Sequence, residues 1–119
     1  MLGTVAEEAR LALITTGGPE GPTIILPAEV RAGEPFNVRV LTYFCNREQV
    51  RTEVVMRGTV ATVKPYNRIV RNGKDCGPYN VAEHVASVRF RRAALAHVIV
   101  VGMGVDGDTV RAVRRVVVR

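Results

Sequence analysis

From residue 23 onward, apolar and polar residues alternate with a period close to two, the pattern of β-strands that are buried on one face. Between residues 36 and 40, for example, Phe36, Val38 and Val40 alternate with Asn37 and Arg39. Valine, a strong strand former, occurs 22 times among the 119 residues, which favours the same structure. The predicted strands are 23–30, 36–44, 50–56, 60–66, 84–90, 94–103 and 109–118.

Turn-forming residues separate these segments. Arg57-Gly58 lies between the third and fourth segments, and Asp106-Gly107, a pair favoured in type I′ hairpin turns, lies between the last two. Seven short strands without a helix long enough for a βαβ crossover predict an all-β fold, an antiparallel β-sandwich. In the last strand, Arg114 occupies one of the alternating positions that otherwise hold apolar residues. We therefore expect a bulge at Arg114-Arg115 or an exposed edge there.

Residues 1–22 follow a different pattern, so we predict an N-terminal arm and linker before a sandwich over 23–119. Thr4 and Glu7 have capping-box spacing, and residues 6–13 are long enough for two helical turns. The apolar residues from 5 to 14 would suit packing on a neighbouring chain. The start lacks the basic region of an intact signal peptide. The protein is therefore expected to be cytosolic, or to have lost an export signal.

Residues 25–38, ILPAEVRAGEPFNV, resemble the opening of bacterial immunoglobulin-like modules, where a P-x-x-V-x-A-G-x-x-F-x-V run joins the first two strands. The closing stretch 100–118 resembles their final hairpin. This resemblance, which covers residues 23–119, implies an immunoglobulin-like (fibronectin III-like) sandwich and no particular activity. The opening is also similar to superoxide reductases and sulfur-oxidation carrier proteins, which share the sandwich. The iron site of superoxide reductases needs more histidines than the two present here, so that activity is not expected.

The two cysteines are expected at one end of the sandwich. Cys45 follows the second strand, and Cys76 lies in the long connection that begins after the fourth. If strands run alternately up and down, both ends meet, which makes a disulfide geometrically plausible. A disulfide implies an oxidising compartment. One alternative is a pair of free buried thiols, which would indicate a cytoplasmic protein. The other is a metal-binding or redox site, in which Cys45, Cys76 and His84 would be the ligands of zinc or copper.

The net charge of +6 permits an anionic partner, and 15 of the 17 basic residues are arginine. One basic stretch, residues 67–74, is flanked by tyrosines that suit base stacking, so a nucleic-acid-binding module is a further alternative. Two other clusters are Arg89, Arg91 and Arg92, and the arginines of residues 111–119. The candidate binding surface at the cysteine end comprises Tyr43, Tyr66, Arg71, Lys74, Tyr79 and His84.

No constellation of nucleophile, base and orienting residue is recognisable, so we expect no enzyme and no cofactor. Gly102-Met103-Gly104 lacks the third glycine and the following helix of a phosphate-binding fingerprint. No apolar run is long enough to span a bilayer. The sequence thus predicts an extracytoplasmic binding or structural module that acts through end loops and exposed edges, with a protein partner or self-assembly as its mode of action.

Overall fold

A computed structural model describes residues 9–14, 21–70, 76 and 80–119. All regular elements in these ranges are strands, as the alternating pattern predicts, so the all-β fold class is confirmed. The strands are β1 (Arg10–Leu11), β2 (Ile24–Ile25), β3 (Glu29–Val30), β4 (Phe36–Tyr43), β5 (Arg47–Arg57), β6 (Val60–Ile69), β7 (Val81–Val88), β8 (Ala94–Met103) and β9 (Thr109–Val118).

The strands form two sheets that enclose one hydrophobic core. The larger sheet has the order β1-β6-β8-β9-β3, with β5 paired to β6, and the smaller sheet has the order β2-β4-β7. Val38 and Val40 of the smaller sheet and Val63, Val98 and Val100 of the larger sheet are all fully buried in this core. The alternation therefore directs one face of each sheet inward, giving a sandwich-like architecture.

The expectation of purely antiparallel pairing is wrong at two places in the larger sheet. Strands β6 and β8 are parallel, from Val60 opposite His97 to Val63 opposite Val100. The short strand β3 is also parallel to β9. The chain leaves β6 for β7 in the smaller sheet and returns to β8, which brings it back in the same direction. Residue alternation encodes burial and not strand direction, so the sequence pattern gave no sign of this.

The predicted first strand, 23–30, divides between the two sheets. β2 pairs with β4 in the smaller sheet, whereas β3 pairs with β9 in the larger one. Pro27 lies between them and has no backbone N–H to donate to a strand ladder. The chain therefore crosses from one sheet to the other within four residues.

The helical expectation for residues 6–13 is wrong at Arg10 and Leu11, which form β1 and pair antiparallel with β6. The next residues remain extended: Ala12 N donates to Pro65 O at 2.8 Å, and Ile14 N donates to Met103 O at 3.0 Å. Both side chains are 2% exposed. The predicted arm thus contains a segment, residues 10–14, that lies within the sandwich.

Strand β9 contains no bulge at Arg114-Arg115, because its register with β8 is unbroken along its length. Arg114 therefore keeps a position that the alternation assigns to apolar residues. Its guanidinium is partly buried there and donates from Nη2 to Pro22 O at 3.0 Å. In the described residues, the two-residue β3 is the only named strand on the outer side of β9, in keeping with the predicted edge. The bulge of the larger sheet lies in β5, between Gln49 and Arg51.

Candidate functional site

Cys45 and Cys76 form a disulfide, as the sequence predicts. Their Cα atoms are 5.6 Å apart, within the normal range for such bonds. Cys45 is buried two residues beyond the end of β4, and the side-chain amide of Asn46 donates to Cys76 Sγ at 3.7 Å. The bond therefore closes a loop of sequence separation 31 and ties residue 76 to one end of the sandwich.

The predicted binding surface at that end is only partly within the described residues, which exclude Arg71, Lys74 and Tyr79. Tyr43 ends β4 in the smaller sheet, and Tyr66 lies in β6 of the larger sheet. Both rings are half-buried, and the guanidinium group of an arginine lies over each of them. Arg47 lies 4.9 Å from the Tyr43 ring centroid, and Arg51 lies 4.3 Å from that of Tyr66. These cation–π contacts occupy ring faces that a stacked base would use.

His84 does not belong to a surface, and its inclusion in the binding surface is wrong. Its side chain is 2% exposed and lies between the sheets. Nε2 is 2.6 Å from Asn67 Oδ1, and Nδ1 is 2.7 Å from Thr52 Oγ1. Since the amide oxygen can only accept, Nε2–H donates to Asn67, and the Thr52 hydroxyl donates to Nδ1. Burial lowers the pKa of His84 below its ordinary value of 6.5, so the ring is neutral at pH 7.

The disulfide does not fit the alternative of a metal site at Cys45, Cys76 and His84. A metal-binding cysteine must be a thiolate, and both sulfur atoms are joined to each other. Both ring nitrogens of His84 already have partners. In the part of the chain that the structure describes, no three His, Cys, Asp or Glu residues are grouped for a metal ion.

Thr52, His84 and Asn67 form a hydrogen-bonded chain of a hydroxyl, an imidazole and an amide. Catalytic triads join a nucleophile, a base and an orienting residue in the same order. Here the imidazole is enclosed, so that a leaving group cannot reach it to take a proton. The network instead joins β5 and β6 of the larger sheet to β7 of the smaller one. These hydrogen bonds link the two sheets, and sequence inspection missed the network because its members are far apart along the chain.

A second feature missed from the sequence is an apolar row on the outer face of the larger sheet. The strand register places Val55 opposite Thr62, Thr62 opposite Ile99 and Ile99 opposite Val113, so that the row crosses four strands. Val55 is 44% exposed and Val113 is 51% exposed. We call this set of four residues the apolar row. Leu95 and Val117 lie farther along the same face, beyond His97 and Arg115.

Arginines border the apolar row on both sides. The adjacent register position on one side holds Arg57 and Arg115, and Arg111 lies on the other side. These three have no ion-pair partner among the residues that the structure describes. The acidic residues nearby are already paired, Glu53 with Arg51 and Glu29 with Arg119. The face is therefore apolar at its centre and positive at its borders.

Comparison with known proteins identifies no relative: no family model, no curated protein and no solved structure matches the chain. A search of the described residues for a helix long and apolar enough to cross a membrane finds none.

Proposed function

We propose that this protein is a non-enzymatic binding or assembly module that acts outside the cytoplasm and docks a protein partner on the outer face of its larger sheet. The observation that carries the proposal is the apolar row between Arg57, Arg111 and Arg115. Exposed apolar side chains grouped on one face with a polar rim are typical of interaction sites. Arginine is also among the residues that contribute most to binding energy at such sites.

The charge of this face favours an acidic protein as the partner. Three arginines without ion-pair partners would find carboxylates on such a surface and hold them in a bidentate geometry. A second copy of the same face would place like charges opposite each other and is disfavoured. Among the described residues, Tyr66 is the tyrosine of this face, and Arg51 already covers its ring, so base stacking has little support.

The disulfide supports a place outside the cytoplasm, because such bonds persist in oxidising compartments. The two-sheet core and the resemblance of residues 25–38 together support an immunoglobulin-like assignment. The parallel pairing of β6 with β8 departs from the antiparallel pattern that we expect of such modules. The surface at the disulfide end, with Tyr43 and Tyr66, stays a prediction.

The test is a comparison of the wild-type protein with Arg111→Glu/Arg115→Glu as immobilised baits for the extracellular proteins of the source organism. We expect an acidic protein to be retained by the wild type and lost from the variant. Reconstitution with that purified protein should show an affinity that decreases with salt and with Val113→Asp. Arg39→Glu/Glu83→Arg, which inverts an ion pair on the smaller sheet, is the control that keeps binding.

Three results would contradict the proposal. One is equal retention of every protein by wild type and variant. Another is self-association of the purified wild type that Arg111→Glu/Arg115→Glu abolishes, which would identify a second copy as the partner. The third is selective retention of nucleic acid by the wild type.

A further inference from the structure

A cleft of about 830 Å³ opens at the end of the sandwich opposite the disulfide. It lies between the β5–β6 turn and the connection from β7 to β8. Three arginines of that connection line it, together with Thr59, Ser87 and an apolar wall formed by Met56, Ala93 and Ala94. The three arginines are Arg89, Arg91 and Arg92.

The backbone that carries these arginines is anchored in the core. Phe90 is 2% exposed, and its ring stacks on Phe36 with a centroid distance of 5.9 Å. Its carbonyl oxygen accepts a 2.7 Å hydrogen bond from Gly33 N. Because residue 90 is fixed in this way, the arginines before and after it are held at the cleft while their side chains stay exposed.

The lining contains no acidic residue. None of the three arginines forms an ion pair with any described residue, so their guanidinium groups have donors free for a ligand. Each guanidinium presents a planar fork that matches a phosphate or sulfate group. The hydroxyls of Thr59 and Ser87 add two further hydrogen-bonding groups, and the apolar wall offers a surface for an uncharged part of the ligand.

We propose that this cleft binds a compact organic anion that carries two or more phosphate or sulfate groups beside a ring or another weakly polar moiety. The volume lies in the range of small-molecule sites. Two or more anionic groups would balance the charge of the three arginines better than a single one. The proposal uses none of the residues of the larger sheet's outer face that carry the proposed function, so each can fail without the other.

Calorimetric titration with two probes tests the proposal. ATP represents phosphate groups beside an aromatic ring, and a heparin-derived tetrasaccharide represents sulfate groups on sugars. We expect saturable one-to-one binding of at least one probe, and the probe that binds more tightly identifies the source of the anionic groups. Arg91→Gln and Arg92→Gln should each weaken binding about tenfold, the usual effect of removing one charge-assisted hydrogen bond.

Arg31→Gln is the matched control, since Arg31 is exposed, lies outside the cleft and loses the same charge. We expect it to leave the affinity within about twofold of wild type, because Arg31 does not line the cleft and an exposed charge that does not contact the ligand is screened by solvent and salt. An unchanged thermal midpoint verifies that each variant is folded. The proposal is overturned if neither probe binds saturably, if Arg31→Gln weakens binding as much as Arg91→Gln, or if a DNA duplex of about 20 base pairs (roughly two helical turns) binds more tightly than both probes.

Discussion

Ile14 lies directly against Gly102, where a Cβ atom would stand 2.7 Å from Ile14 Cγ2 and 3.0 Å from the carbonyl oxygen of Ala12. The first of these distances is too short for a real Cβ atom. The extended segment 10–14 thus fits beside β8 because residue 102 has no side chain. This contact explains the glycine in a buried strand, where glycine is otherwise unfavourable.

Gly102→Ala should therefore destabilise the protein by about 1–3 kcal/mol, the usual cost of overpacking. In a strand without such a neighbour, the same change would be stabilising or neutral. Urea unfolding measures the difference. Ile14→Ala provides the control, because the double variant should be more stable than the sum of the two single effects predicts. Strictly additive effects would show that the two residues do not interact.

Thr52→Val removes the hydroxyl that donates to His84 Nδ1 and leaves a buried acceptor without a partner. We expect a loss of about 1–3 kcal/mol in the free energy of unfolding. Thr62→Val is the matched control, since Thr62 is half-buried on the outer face of the larger sheet. Its effect should stay within about 0.5 kcal/mol. Equal effects of the two variants in denaturant titrations would mean that the hydrogen bond to His84 contributes nothing.

The pKa of His84 also predicts a dependence of stability on pH. Burial lowers this pKa in the folded state, whereas the unfolded chain has the ordinary value of 6.5. The unfolded state therefore binds more protons as the pH falls. The contribution of the neutral His84 to the free energy of unfolding is fully present well above pH 6.5. It is lost as the pH falls through 6.5 toward the folded-state pKa.

Unfolding in urea at pH values above and below 6.5 measures this effect. His84→Gln should reduce the difference between the two conditions, because glutamine does not titrate. Thr62→Val, on the outer face of the larger sheet, removes no titratable group and should preserve the difference. A wild-type stability that is constant across the transition would show that His84 accepts a proton without cost in the folded state.

The disulfide should stabilise the fold by about 3–4 kcal/mol, as chain entropy predicts for a sequence separation of 31. Cys45→Ser/Cys76→Ser should lose this amount relative to the oxidised wild type, measured in denaturant without reductant. Mass spectrometry after alkylation provides the independent check. Two thiols that react in the unfolded protein before reduction would show that the bond does not form.

Much of the strand content could be predicted from the sequence. The predicted segments 94–103 and 109–118 have the bounds of β8 and β9, because their alternation is long and glycine residues mark the turn between them. The disulfide could also be inferred, since chain direction alone places Cys45 and Cys76 at one end. The prediction of one continuous strand over 23–30 was wrong, because β2 and β3 have two residues each. Such short strands show no alternation that would reveal the break between them.

The candidate sites were much less accessible to prediction. His84 has the parity of Ala86 and Val88 in its strand, and that parity is buried, yet its partners Thr52 and Asn67 become apparent only once three strands are placed. The same holds for the outer face of the larger sheet, whose arginines come from β5 and β9. The three arginines of the cleft lie close together in the sequence. The cleft itself is not visible there, because its other side is formed by the distant β5–β6 turn.

The sequence by itself determined the all-β class and the core positions of most strands, because these follow from local alternation and from turns. It favoured the disulfide but left other states of the two cysteines open. The tertiary structure decided strand direction, the course of residues 10–14 and the partners of His84. It also decided which charges share a surface. The physical reason is that alternation specifies which side of a strand avoids water, whereas the identity and direction of neighbouring strands depend on packing between residues distant in the chain.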